Sequence, residues 1–260
     1  MLRLLINLDR STERLSEVTQ RLNDLEIPFE RVSAVDGSGL GQSTIESLTY
    51  PINHFETKVR FTRALTPGEI GCFLSHIKCW KKLVSSTEKW ALILEDDIQV
   101  STFAKKYLID DTWLPSDIKI CQLSNLVPQQ NGKIAEQPRK IDNFLSIVRP
   151  SAPISLGTQA YFISKEFATR AIELSLKLPA PVDNFLFSPW FSLYNEYPLW
   201  KTSPILIIPK EEAESEIGQR SKKYTKKAPF WIRHGPKRFF LDIKIKHMQT
   251  KGYDHKFIFQ

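Results

Sequence analysis

The chain has 260 residues, enough to bury a substantial core in one large α/β domain, with or without a small C-terminal appendage. Its apolar fraction of 42% and charged fraction of 25% are ordinary for a globular protein and argue against disordered and membrane-spanning classes. The net charge of +7 is uneven, because residues 220–260 carry twelve basic and two acidic side chains, so the basic character belongs to the tail.

The first 36 residues predict a strand, a helix and a second strand. Residues 2–8 (LRLLINL) form a short apolar run that is typical of a buried strand. Residues 12–25 place apolar side chains at helical spacing, and residues 27–35 (IPFERVSAV) indicate another strand, closed by the turn signal Asp36-Gly37. This order is a βαβ opening.

The next segment changes character at Thr66. Residues 38–65 contain glycine and serine and lack a clear period, so we predict a loop or an irregular insertion. Thr66 is the best helix start in the chain, with Pro67 at the first helical position and Glu69 at the third, which is the capping-box arrangement. The helix is predicted to run to about Ser85.

The remaining elements complete the fold class. Strands are predicted at residues 90–95, 118–124, 158–164 and 204–209, and a helix at residues 165–178. Strands that alternate with helices indicate an α/β fold with a mostly parallel sheet.

Three adjacent acids, Glu95, Asp96 and Asp97, follow the apolar strand WALILE. Ligands of open α/β sheets bind outside the carboxyl ends of strands, and adjacent carboxylates repel one another unless a cation pairs with them. Mg²⁺ and Mn²⁺ prefer such oxygen ligands together with substrate phosphates. The same acids would also fit a strand end or a helix cap, but no glycine-rich phosphate loop offers a rival nucleotide site.

Six segments together resemble one family. INLDRSTER, VSAVDG, LTPGEIGCFLSHIKCW, ALILEDD, GTQAYFIS and PVDNF are similar, in order and spacing, to glycosyltransferase family 25 enzymes of bacterial lipooligosaccharide synthesis. The resemblance covers about residues 2–220. It implies a GT-A-type, Rossmann-like fold and inverting transfer from a UDP-sugar, typically UDP-galactose and in some members UDP-glucose.

The resemblance also assigns roles to particular positions. It implies that Asp96 and Asp97 bind Mn²⁺ or Mg²⁺, and that Glu95 belongs to the same metal and diphosphate motif. Residues expected to face the nucleotide or its nucleoside are Asn7, Asp9, Arg10, Arg14 and Asp36.

Asp183 is the candidate general base. It matches a family acid in PVDNF, and an inverting transfer needs a carboxylate near the acceptor hydroxyl, on the face of the sugar opposite the leaving diphosphate. An acid that merely caps the helix DNFLFSPWF is an equally good interpretation of this position. The late segment departs from the family pattern at Lys210 and Ser215-Glu216-Ile217, which puts the C-terminal edge of the donor site in question.

The cysteines favour a reducing compartment. Cys72, Cys79 and Cys121 lack the spacing of a disulfide framework, and the N-terminus has neither a secretory signal nor a span, so a cytoplasmic location is expected. Cys72, His76 and Cys79 share one helix face and suggest zinc ligands. Buried thiols beside a hydrogen-bonded histidine are the preferred interpretation, because no fourth ligand is evident.

The tail interleaves basic residues with aromatics, namely Phe230, Trp231, Phe239 and Phe240. This pattern suits an anionic membrane surface, and a family acceptor that grows as a glycolipid would suit attachment to the inner face of the inner membrane. A solvated basic helix is the competing interpretation, and nucleic acid is disfavoured because no recognition motif accompanies the charge.

The sequence thus predicts a catalytic domain over residues 1–219 and a basic tail over residues 220–260. The predicted activity is hexose transfer, most simply of galactose from UDP-galactose, to a lipooligosaccharide acceptor. Three alternatives stay open: transfer of glucose, metal-dependent nucleotidyl or phosphoryl transfer, and a catalytically degenerate module that binds a membrane surface.

Overall fold

The computed structural model describes residues 1–50, 64–151, 157–189, 191–210, 247 and 250–260, and it contains each predicted strand and helix together with several elements that the sequence did not predict. The helices are α1 (Thr12–Asp24), α2 (Gln42–Leu48), α3 (Pro67–Ser85), α4 (Lys105–Leu108), α5 (Lys165–Leu174), α6 (Val182–Phe187) and α7 (Ser192–Glu196). The strands are β1 (Leu2–Asn7), β2 (Glu30–Ser33), β3 (Trp90–Glu95), β4 (Ile98–Val100), β5 (Ile120–Gln122), β6 (Gln129–Ile134), β7 (Arg139–Lys140), β8 (Ser146–Val148), β9 (Ala160–Ser164), β10 (Trp200–Ser203), β11 (Ile207–Pro209) and β12 (Tyr253–Ile258).

A central sheet of eight strands has the order β2-β1-β3-β9-β5-β10-β8-β7. Within these described strands, six point the same way and only β8 and β9 run against them, which follows from the parallel and antiparallel pairings along the sheet. The α/β fold with a mostly parallel sheet is therefore confirmed.

Both faces of the sheet are covered. Leu4 and Ile6 of β1 face an apolar cluster that includes side chains of α3, α5 and α6, whereas Leu5 between them faces a second cluster that includes α1 and α4. The strand period of two explains this alternation, and burial on both faces explains why β1 and β3 read as continuous apolar runs.

The end of the chain packs on the same body. β12 pairs antiparallel with β6, and Phe257 is fully buried against Ile134, Val148 and Ile208. The predicted domain boundary at residue 219 lies outside the described residues, as do Phe230, Trp231, Phe239 and Phe240 of the tail.

Two predicted elements differ from the structure. The segment 38–65 was expected to be a loop, but its described part contains a 3-10 turn (Gly37–Gly39) and α2. The helix expected over residues 165–178 ends at Leu174, and Ser175 caps it by donating its backbone N–H to Ile172 O. The capping box at Thr66 and Glu69 is confirmed, since each side chain accepts the other residue's backbone N–H.

Close backbone contact fixes the N-terminal half of α3 beside the end of β2. A Cβ atom on Gly37 would lie 1.7 Å from Pro67 O, and one on Gly71 would lie 2.5 Å from Val35 O. The side chain of Ser75 joins the same segments, because Val35 N–H donates to Ser75 Oγ (2.8 Å). Only glycine at these two positions permits the approach.

We predict that Gly37→Ala lowers the free energy of unfolding by about 1–3 kcal/mol or more, since the new methyl group overlaps backbone that cannot yield cheaply. Gly39→Ala, in the same turn, is the matched control, because a Cβ there meets no atom within 4 Å. Guanidinium unfolding of both variants checks this. Equal midpoints for the two variants would show that the backbones are not in contact.

Candidate active site

A cleft of about 180 Å³ opens at the carboxyl ends of β1 and β3. These ends are adjacent because β1 and β3 pair in parallel register, with Ile6 opposite Glu95. The predicted site residues that line the cleft are Asn7, Arg10, Arg14, Asp36, Glu95, Asp96 and Asp97. The sheet thus brings together seven of the nine predicted positions.

Glu95 is held by hydrogen bonds. Thr158 Oγ1 donates to Glu95 Oε1 (2.5 Å), and His76 Nε2 lies 3.2 Å from the same oxygen. On the other side of the ring, His76 Nδ1 lies 2.8 Å from the Tyr161 hydroxyl, which accepts from Trp80 Nε1 (3.0 Å). Because Tyr161 accepts from Trp80, its own hydroxyl hydrogen is available to His76 Nδ1. This series of hydrogen bonds indicates the Nε2–H tautomer, with Tyr161 donating to Nδ1 and His76 donating to Glu95.

Asp96 is neutralised from β1 and α1. Asn7 Nδ2 donates to Asp96 Oδ2 (2.7 Å), and Arg14 lies 3.6 Å from Asp96 Oδ1. Asn7 is itself oriented, because its Oδ1 accepts from Arg31 Nε (3.0 Å). The side chain of Asn7 is only 1% exposed, so its amide is committed to this role.

Asp97 lacks comparable support. Its Oδ1 is buried and accepts no hydrogen bond from the part of the chain that the structure describes. Burial, with added repulsion from Glu95 and Asp96, raises the pKa of Asp97 to about 7. The backbone of Asp97 is fixed, since Lys210 N–H donates to its carbonyl (2.7 Å). An orphaned, buried carboxylate oxygen marks a place where a cation would lower the free energy.

Arg10 and Asp36 form an ion pair at the mouth of the cleft. Asp36 caps the 3-10 turn, accepting from Ser38 N (3.0 Å) and Ser38 Oγ (2.7 Å), and these hydrogen bonds lower the pKa of the Asp36 carboxyl. Arg10 and Arg14 place two guanidinium groups at this end of the cleft. Such groups suit the charge of a diphosphate.

Asp9 does not line the cleft. Its carboxylate pairs with Arg31 and accepts from Ser33 Oγ (2.9 Å), and these hydrogen bonds lower its pKa. In this structure Asp9 therefore anchors the Arg31 side chain that orients Asn7, rather than facing a nucleotide. The spacing INLD alone does not distinguish these positions, because the turn after β1 decides which side chain points inward.

Asp183 also lies outside the cleft lining. It occupies the first turn of α6, where its Oδ1 accepts from Asn184 N (2.7 Å) and Asn184 Nδ2 (3.1 Å). Its negative charge nevertheless contributes to raising the pKa of the Cys72 thiol, for which burial is the larger cause. Cys72 lines the cleft, so the charge of Asp183 acts on the cleft wall from outside the lining.

Two residues of the site were not predicted. Arg31 orients Asn7, and Tyr161 orients His76, yet each lies in a strand whose apolar pattern gives no functional signal. A buried tyrosine needs a partner for its hydroxyl, which is the one hint that Tyr161 offers. The cysteines are unpaired, as predicted, and Cys79 is fully buried in the apolar core.

Comparison with known proteins identifies relatives. The model of glycosyltransferase family 25 (LPS biosynthesis protein) matches residues 1–186. Procollagen galactosyltransferase 1 of Danio rerio is 29% identical over 199 residues, covering 75% of this chain and 32% of that protein. Procollagen galactosyltransferase 2 of Homo sapiens is 30% identical over 199 residues, covering 75% of this chain and 30% of that protein. The chain thus spans about a third of the length of these relatives.

A solved structure of a glycosyltransferase involved in glycosylation of the major capsid of PBCV-1 is 12% identical, with a TM-score of 0.37. The match covers 82% of this chain and 93% of the chain in that structure. In the described part of the chain, no helix combines the length and apolarity needed to cross a bilayer.

We predict that Tyr161→Phe lowers the free energy of unfolding by about 1–3 kcal/mol, because Trp80 Nε1 and His76 Nδ1 lose a buried partner. Tyr253→Phe is the control, since Tyr253 is 53% exposed and should change stability by less than about 0.5 kcal/mol. Urea unfolding measures both values. Indistinguishable losses in the two variants would contradict the network.

Proposed function

The chain belongs to glycosyltransferase family 25, and we propose that it transfers a hexose from a UDP-sugar to a saccharide acceptor with the help of a divalent cation. The favoured donor is UDP-galactose, and the favoured acceptor is a lipooligosaccharide. UDP-glucose is the alternative donor.

Two findings support this choice of substrates. The relatives described above are galactosyltransferases by name, which favours galactose, and the family description refers to LPS biosynthesis, which favours a glycolipid acceptor. Those relatives act, by name, on procollagen. A collagen-type peptide is therefore a second acceptor to test.

The observation that carries the proposal is the buried carboxylate oxygen of Asp97, which has no described hydrogen-bond partner. Two further acids precede Asp97 in a cleft that also holds Arg10 and Arg14. These donors fit Mg²⁺ or Mn²⁺, because both ions prefer oxygen ligands and bind through one or two carboxylates plus substrate phosphates. Asp96 and Asp97 would hold the ion.

Each residue then has a part in the transfer. When bound, the cation supplies Lewis-acid stabilisation of the charge on the departing diphosphate. Arg10 and Arg14, which line the same cleft, attract the diphosphate, and Asn7 keeps Asp96 in place through its 2.7 Å hydrogen bond. Glu95 stays fixed by Thr158 and His76.

Asp183 is the proposed general base. It lies in the first turn of α6, and its charge acts on Cys72, which lines the cleft. A base there would take the proton of an acceptor hydroxyl that approaches the sugar from the face opposite the diphosphate. The hydrogen bonds from Asn184 to Oδ1 orient the carboxylate that would take up the proton.

The location of the enzyme follows from the proposed acceptor. A glycolipid acceptor would place the enzyme on the cytoplasmic face of the inner membrane, with the basic residues 220–260 against anionic head groups. No nucleic-acid partner is proposed.

We predict that Asp97→Asn lowers UDP release from the preferred donor by about 100-fold or more, because loss of several kcal/mol of charge stabilisation changes the rate tenfold per 1.36 kcal/mol. The full chain is assayed with UDP-galactose, UDP-glucose or UDP-N-acetylglucosamine, with Mn²⁺ or EDTA, and with or without acceptor. Asp117→Asn is the control, since Asp117 is an exposed acid paired with Arg139 outside the cleft.

The released product separates the alternatives. UDP supports the transferase, whereas pyrophosphate or phosphate would indicate nucleotidyl or phosphoryl transfer. No product from any donor, with folded protein and Mn²⁺ present, would favour the binding module. Full activity in Asp97→Asn, or unaltered activity in EDTA, would refute the metal assignment.

We predict that Asp183→Asn lowers kcat by about 100-fold or more with little change in the KM for the UDP-sugar, as expected when a general base is removed and donor contacts remain. Asparagine can still accept the Asn184 N–H, so the helix turn is kept. Glu196→Gln, which changes an acid on neighbouring α7, is the control. Equal kcat values for Asp183→Asn and wild type would rule out this base.

A further inference from the structure

A second set of possible metal ligands lies in the cleft. Cys72 and His76 are one turn apart on α3, and Glu95 ends β3. One ligand atom from each of these residues lies within 4.8 Å of the other two, and His76 Nε2 is 3.2 Å from Glu95 Oε1. In a tetrahedral site with bonds of about 2.0–2.3 Å, neighbouring ligand atoms stand roughly 3.3–3.8 Å apart. The histidine and glutamate atoms, 3.2 Å apart, are close to this spacing.

The ligand atoms of this set differ in type from those proposed for the catalytic cation. A thiolate, an imidazole and a carboxylate select a borderline-soft ion such as Zn²⁺, whereas Mg²⁺ and Mn²⁺ prefer oxygen alone. Cys79 does not belong to this set, because it points into the apolar core. Glu95, from another element, takes the place of Cys79 in the set of three that the sequence suggested on α3.

The surroundings favour a cation. The charges of Glu95, Asp183 and Asp97 all act on the Cys72 sulfur, and the Oδ1 atom of Asp97 is buried without a described partner. The cleft reaches Cys72 and His76, so an ion has a path to them. The site therefore combines access, unbalanced negative charge and three preformed donors.

We propose that Cys72, His76 and Glu95 form a binding site for a thiophilic divalent cation of the Zn²⁺ class in the wall of the cleft. On binding, the single ring hydrogen of His76 moves from Nε2 to Nδ1, which frees Nε2 for the ion, and the Cys72 thiol releases its proton to solvent. His76 then donates its Nδ1 hydrogen to the Tyr161 hydroxyl, and this hydrogen bond fixes the orientation of the ring.

Cobalt(II) titration tests this without any nucleotide sugar. Bound to a thiolate, Co²⁺ shows a sulfur-to-metal charge-transfer band in the near ultraviolet that oxygen ligands do not give. We expect the reduced full chain to show this band at one Co²⁺ per chain. The band should disappear with one equivalent of Zn²⁺ and persist in excess Mg²⁺.

Two cysteine variants identify the thiol. Cys72→Ser should lose the band, whereas Cys79→Ser, seven residues further along α3, should retain it. Circular dichroism confirms that each variant is folded, and a variant that fails this check is replaced by the corresponding alanine.

Two results would overturn the proposal: no band in the folded wild-type chain, or a band that survives in Cys72→Ser. The outcome is separate from that of the UDP-release assay, since it reports metal-thiolate bonding alone.

Discussion

Mutual repulsion among three consecutive carboxylates governs the architecture of the cleft, and the chain relieves it differently at each position. Glu95 is stabilised by hydrogen bonds from Thr158 and His76, and Asp96 by Asn7 and Arg14. Asp97 receives no comparable partner in the described structure, and its pKa rises to about 7. The charged form of Asp97 is thus the least stabilised of the three carboxylates, and a divalent cation would favour it most.

This distribution of charge depends on the position of α3. His76 reaches Glu95 only because the start of α3 lies against the segment after β2, and Gly37 and Gly71 permit that approach. The capping box at Thr66 fixes where the helix begins, which in turn fixes the direction in which His76 points, one turn after Cys72 on the same face. Backbone packing and site electrostatics are therefore coupled.

Local patterns predicted the elements of the fold well. Apolar runs located β1, β3 and β9, and the capping box located the start of α3. The order of strands in the sheet was not predictable in this way, because it depends on contacts between distant residues. Lys201 is the clearest example of a position that local patterns did not predict. It is only 1% exposed within β10, where its ammonium group donates to Gln122 Oε1 (2.8 Å). Burial lowers the pKa of Lys201 to about 7.

At the site, family resemblance located the acids but not their environment. The proposed Mn²⁺ or Mg²⁺ ion and the proposed Zn²⁺-class ion draw on adjacent donors, and Glu95 belongs to both sets. A cation bound to Cys72 and His76 would occupy the Glu95 oxygen that now accepts from Thr158 and His76. It would also add positive charge beside Asp97 and weaken the attraction of that carboxylate for a second cation. The two proposed ions would therefore compete electrostatically, and the thiol of Cys72 would favour retention of the thiophilic one.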